Sequence, residues 1–226
     1  MIFALLGWGM LVGLDLVSVP QMMIARPLVA GTVAGAILGD VTTGLWLGVL
    51  FELFQYDVLP VGAVRYPEYG PATVAAVAAA HLTGGLIGIG VGAGVGLVVG
   101  MLGGISLHLL RILNARAVAH ATDQLEAGAV DALVRVHAAS IARDAVRAAL
   151  VTAVGLGFAW LVGPVLSITL LARELRPETI SLPGAAVAGA ALATGSAGVL
   201  RLVGKGPLVR WLTTGVVAGA IVAWLR

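Results

Sequence analysis

Residues 20–71, PQMMIARPLVAGTVAGAILGDVTTGLWLGVLFELFQYDVLPVGAVRYPEYGP, decide how this chain is built. The stretch is apolar enough for a bilayer, yet it carries Arg26, Asp40, Glu52, Asp57, Arg65 and Glu68. It is also cut by Pro27, Pro60 and Pro67. A plain anchor has no use for such groups, because a charge at the bilayer centre costs roughly 2.5–3.5 kcal/mol on insertion scales. Proline inside a helix removes a backbone donor and clashes with the preceding turn. Broken backbone at membrane depth is tolerated only where it is buried in protein or lines a cavity. The stretch therefore reads as a solute pathway, and the remaining chain as what holds it in the lipid bilayer.

The composition supports that setting. The chain has 226 residues, 60% hydrophobic and only 11% charged, with a mean hydropathy of +1.06. So few charges cannot cover the surface of a soluble domain, which predicts an integral membrane protein. The 32 glycines lie within apolar runs and suit helices packed backbone to backbone. No basic patch interleaved with aromatics points to nucleic acid. Cysteine is absent, which removes disulfides, thiolate catalysis and thiolate metal sites. The first residues, MIFALLGWGMLVGL, lack a basic start and a small-residue cleavage site, and read as a membrane segment and not a removable signal.

Element lengths divide the chain further. A membrane helix needs about 20 apolar residues. Residues 1–19 nearly supply them as a first membrane segment, closed by Pro20. Residues 20–81 then form a broken-helix and re-entrant transport region, because 27–39 and 41–51 are each too short to cross. Between them Asp40 with Thr42 and Thr43 offers helix-capping side chains, so the two pieces form an in-and-back pair or one crossing interrupted midway. Short, Pro/Gly-interrupted segments of this kind are the best sequence pointer to a transporter's binding site. A half-helix is expected near 71–81 and a Gly-rich helix over 82–110, with Gly84, Gly88, Gly92, Gly96 and Gly100 forming a helix–helix seam. Residues 111–147 mix five arginines with Asp123, Glu126, Asp131 and Asp144, which predicts an amphipathic cytoplasmic or interfacial segment. Residues 148–226 hold three further spans, over 148–172, 179–200 and 211–225. The expected fold is thus all-α, a polytopic membrane protein with short broken helices in its N-terminal third.

The motif block narrows the reading. Arg26-Pro27-Leu28, Leu38-Gly39-Asp40, Thr43-Gly44, Glu52, Val61-Gly62-Ala63 and Pro67-Glu68 stand in order over about 50 residues. This block resembles component IIC, the membrane-channel subunit of the mannose/sorbose family of bacterial phosphoenolpyruvate-dependent sugar phosphotransferase systems. The resemblance implies an elevator-type subunit of a multi-pass permease in the bacterial cytoplasmic (inner) membrane. It implies a second membrane subunit, component IID, and a hexose-like sugar bound between the two within an oligomer. It also implies that phosphorylated cytoplasmic component IIB, charged by IIA, modifies the sugar. Component IIC carries no phosphohistidine, so the chain would not be catalytic by itself, and no cofactor or metal is expected. One departure is Pro60, where mannose-transporting members often have Asn; a second is the polar run Gln55, Tyr56, Asp57 before the Gly-Ala turn. Both put mannose in question as the sugar.

The residues themselves suggest roles. Glu52, Gln55 and Tyr56 share one face of a helix and offer a carboxylate, an amide and a ring to a neutral sugar. Alternatively, Glu52 pairs with Arg26 or Arg65 and holds the broken helices together. Glu68 either reaches the ligand or a gate, or faces the aqueous mouth. Gln21, beside a helix break, is a further substrate-binding candidate. Arg26, Asp40, Pro60, Gly62 and Arg65 are assigned structural or gating roles, with Asp40 a cap or hinge. Asp15 pairs with an arginine or lines the path. His81 reads as a packing residue, and the other three histidines as solvated. Two rival readings are a diverged homologue that acts as a scaffold or regulator, and an unrelated small-solute channel that conducts by itself.

Overall fold

A 15-residue helix with almost no side-chain bulk sits at the centre of the molecule. The computed structural model describes residues 1–56, 58, 65–171, 186–187, 190 and 208–225. In chain order these give α1 (Ile2–Val17), α2 (Pro27–Leu38), α3 (Val41–Gln55), α4 (Tyr69–Thr83), α5 (Gly85–His120), α6 (Thr122–Glu126), α7 (Val130–Leu171) and α8 (Leu208–Trp224). Among the described residues there is no strand. Helix α4 reads YGPATVAAVAAAHLT, and residues 69–80 of it are all buried. A helix apolar on every side has no solvent face. Its alanines let α1, α2, α3, α5 and α7 all pack against it.

Helices α2 and α3 form an antiparallel hairpin, which decides between the two arrangements the sequence left open. The turn between them is as short as a helix pair allows. Gly39 adopts φ +79°, its N–H donates to Ala36 O at 3.2 Å, and the Asp40 N–H donates to Gly35 O at 2.8 Å. This pattern closes a helix with a left-handed residue that glycine adopts without a Cβ penalty. Asp40 then caps α3 through its carboxylate, which accepts from the Thr43 N–H at 3.0 Å. Gly31 and Gly44 let the two backbones touch: a Cβ on Gly31 would lie 2.6 Å from Gly44 O. At about 18 and 22 Å, neither helix alone matches the roughly 30 Å of hydrocarbon.

Among the described residues, two helices are long and apolar enough to cross a membrane, over 87–120 and 130–165. They correct the expected divisions. Helix α5 does not stop at residue 110, and 111–147 is not an element of its own. Its residues are shared among the end of α5, the short α6 and the first turns of α7. Nothing between 110 and 120 breaks a helix: there is no proline or glycine there, and hydrogen bonding carries on past the change in polarity. Likewise α4 begins two residues earlier than the expected half-helix and ends two later, at Thr83, with Gly84 as its cap. The expected span 179–200 lies outside the described residues apart from 186, 187 and 190.

The glycine seam lies between α4 and α5. A Cβ on Gly88 would stand 2.5 Å from Ala80 O, one on Gly92 would collide with Ala76 O, and one on Gly96 with the Phe51 ring. Backbone cannot step aside as a side chain can. Gly92→Leu is therefore expected to lower stability by about 1–3 kcal/mol, the usual cost of overpacking. The check is the thermal midpoint of the detergent-purified protein, with exposed Gly94→Leu, which meets nothing within 4 Å, as the control.

Candidate functional site

The open end of the α2–α3 hairpin brings three of the sequence-predicted residues together. Arg26, the N-cap of α2, forms an ion pair with Glu52 Oε1 from α3. The other carboxylate oxygen accepts from the Leu28 N–H at 3.2 Å, in the first turn of α2, where a helix dipole favours negative charge. The Arg26 guanidinium stands 5.8 Å from the Tyr56 ring centroid, within cation–π range. Tyr56 is 53% exposed and Gln55 is half-buried. Glu52 is thus held in place while a ring and an amide beside it remain accessible. An ionised carboxylate has about four acceptor positions, so two occupied ones leave room for a hydroxyl donor.

A separate cavity of about 750 Å³ is bounded by Phe54, Val58, Pro67, Tyr69, Leu97 and Met101, by residues 186, 187 and 190, and by Leu212 and Val216 of α8; none of Arg26, Glu52, Gln55 and Tyr56 lines it. Phe54 and Tyr69 stack at 6.0 Å between centroids. The described wall is apolar and aromatic.

Glu68 lies elsewhere. It is fully buried, and Arg147 of α7 takes both its oxygens, Nη1 to Oε2 at 2.5 Å and Nη2 to Oε1 at 3.0 Å. It does not face an aqueous mouth. Arg147 also donates through Nε to Asp144 at 2.8 Å, and to Ser106 Oγ and Gly13 O, each at 3.3 Å. Ser18 donates its hydroxyl to the other Asp144 oxygen. One arginine therefore ties α1, the segment before α4, α5 and α7. That segment is pinned twice more: the Glu68 N–H donates to Gly100 O at 2.9 Å, and Arg111 Nη2 donates to the Tyr66 hydroxyl at 2.8 Å.

A family model described as "PTS system sorbose-specific iic component" matches residues 1–224. The chain belongs to that family. A sorbose-specific EIIC component of Klebsiella pneumoniae is 45% identical over 49 residues, which are 22% of this chain and 18% of that relative's length. A solved structure described as "Structure of membrane protein" superposes with a TM-score of 0.63 at 21% identity, covering 97% of this chain and 84% of its own. That likeness concerns the fold. This IIC chain is accordingly a membrane component of the phosphotransferase-system type, with helices and no strand among the described residues.

Within the IIC chain, the remaining candidates fall as follows. Gln21 is exposed, with φ +59° in a turn after α1. Among the described residues Asp15 meets no arginine: it is 3% exposed and accepts from the N–H groups of Met22 at 2.6 Å and Ala25 at 3.0 Å. Its carboxylate organises the link between α1 and α2. Arg65 is exposed. Pro60, Gly62 and Asp57 lie outside the described residues. His81, expected to be packed, is exposed, because it falls in the last turn of α4, one turn before Gly84 ends the helix. The sequence reading gave Arg147 and Asp144 no role of their own, placing them in the amphipathic cytoplasmic or interfacial segment 111–147.

Proposed function

We propose that this IIC chain is the sugar-translocating subunit of a permease in the bacterial cytoplasmic membrane, crossing it several times and assembling with component IID into an oligomer. Uptake is coupled to phosphorylation by components IIA and IIB, and the chain itself performs no chemistry. A hexose-like sugar binds at the open end of the α2–α3 hairpin, with Glu52 and Gln55 taking hydroxyls and Tyr56 covering an apolar sugar face. The observation that carries this reading is the meeting of Arg26, Glu52 and Tyr56 at one accessible place, the open end of the hairpin. The α2–α3 pair moves as a unit against α5 and α7, which are long enough to remain fixed across the bilayer.

The test is phosphorylation-coupled uptake of sorbose and a panel of hexoses in cells containing components IIA, IIB and IID. Gln55→Ala and Tyr56→Ala are expected to raise the KM for uptake about three- to tenfold each, the equivalent of roughly 0.5–1.5 kcal/mol for one lost contact. Unchanged KM in both variants would place the sugar elsewhere. Uptake without any partner subunit would favour a self-sufficient channel.

A further inference from the structure

Away from the hairpin, α5 and α7 part to leave a groove of about 530 Å³. Ser106, Leu109, Leu110 and Leu113 line it from α5, and Ala142, Arg143, Val146, Arg147, Leu150 and Val151 from α7. The α5 residues follow one helical face at i, i+3, i+4 and i+7, so the groove runs along the helix axes. Contacts across it fix its direction. Arg143 Nη1 donates to Asn114 Oδ1 at 2.7 Å, while Arg147, one turn on, reaches back to Ser106. The two helices are antiparallel, and the Arg143 end is the one nearer α6.

The groove is therefore polar at one end and greasy along the rest. At the α6 end stands a half-buried guanidinium whose described partner is a neutral amide; among the described residues it forms no ion pair. Further along, Leu109, Val146 and Leu150 are 54–60% exposed. The local charge is one-sided. Helix α5 carries Arg111 and Arg116 but no carboxylate, and beyond residue 131 the only carboxylate on α7 is Asp144. Asp144 is fully buried and already engaged by Arg147 and Ser18, so it does not neutralise Arg143.

We infer that this groove holds an anionic phospholipid from the leaflet on the α6 side, its phosphate on Arg143 and one acyl chain along Leu109, Leu113, Val146 and Leu150. A guanidinium matches phosphate oxygens in a planar fork and is the preferred group for phosphate recognition. Basic pockets between membrane helices on the cytoplasmic side are a known class of headgroup site. The apolar run continues from Arg143 toward the membrane interior, the direction an acyl chain takes. A protein helix seated in the same groove would need a carboxylate placed opposite Arg143, whereas an anionic phospholipid carries charge and apolar chain in one molecule. Charge therefore selects the lipid.

The experiment uses the full chain, purified in detergent and offered dioleoyl phosphatidylglycerol, dioleoyl phosphatidylcholine or inorganic phosphate, with retained lipid counted by native mass spectrometry. Phosphatidylglycerol is expected to be retained about fivefold better than phosphatidylcholine, the factor expected of one arginine at an anionic surface. Arg143→Gln should remove that preference, and Val146→Trp, which fills the exposed groove without touching a charge, should lower retention of both lipids. Equal retention of the two lipids by the unaltered chain would overturn the proposal, as would a preference surviving both substitutions. Arg143-dependent binding of phosphate without retention of phosphatidylglycerol would show a bare anion site instead. The chain has no cysteine, so Val146→Cys gives a unique label. Its cross-linking to a second protein in native membranes would show a partner chain occupying the groove and would also overturn the lipid.

Discussion

Arg147→Met is expected to destabilise the protein by about 3–5 kcal/mol, the usual cost of removing one partner from a buried ion pair. The substitution keeps an unbranched apolar side chain of similar reach, so the loss is electrostatic and not a matter of volume. It leaves Glu68 and Asp144, both fully buried, without their shared cation. It also frees a segment that Arg147 ties to α1, α5 and α7 at once. The measurement is the thermal midpoint of the purified chain, together with its yield in membranes. A cost below about 1 kcal/mol would be what an exposed pair shows, and would mean that water reaches the cluster.

A companion variant separates charge from architecture. Removing all three charges together, as Glu68→Gln, Asp144→Asn and Arg147→Met, should be less harmful than Arg147→Met alone, because no buried ion is then left uncompensated. Were the triple variant as unstable as the single one, hydrogen-bond geometry would be the reason for the cluster, and not its charge balance.

The contrast between this cluster and the hairpin shows where sequence reading succeeds. The α2–α3 turn was legible because its determinants are local: a glycine that accepts positive φ, then Asp40 placed to cap through Thr43. The α4–α5 seam was legible because small residues four apart fall on one helical face. Helix ends were less so, since the change of composition after Leu110 marks polarity, and polarity does not stop a helix. Arg147 was hidden for a different reason. Its neighbours include other arginines, which suggests a wet surface, while its decisive partner lies 79 residues away. One signal was present: Asp144 and Arg147 are the last charges before an uncharged run to residue 172. A pair at i, i+3 on the threshold of a membrane span is half of a buried network more readily than it is a solvated face.

Glu52→Gln is expected to reduce phosphorylation-coupled uptake by about tenfold or more, while Arg26→Gln costs no more than about threefold. The asymmetry decides between the two roles that Glu52 can have. If it serves only as a clamp on α2, both substitutions break the same partly exposed ion pair, worth about 0–1 kcal/mol, and the two losses are equal and small. If it also receives a sugar hydroxyl, Glu52→Gln removes a charged acceptor, and hydrogen bonds to charged groups contribute about 1.5–3 kcal/mol, a factor of ten or more. Arg26→Gln leaves that acceptor charged and still held by the Leu28 N–H. Glutamine at 52 retains an oxygen for the same N–H, so the hairpin should close as before, and matched thermal midpoints would confirm that the fold is not the source of the difference. Equal losses in the two variants would assign Glu52 to the clamp. An undiminished uptake in Glu52→Gln would move the sugar site away from the hairpin altogether, toward the aromatic wall of Phe54 and Tyr69.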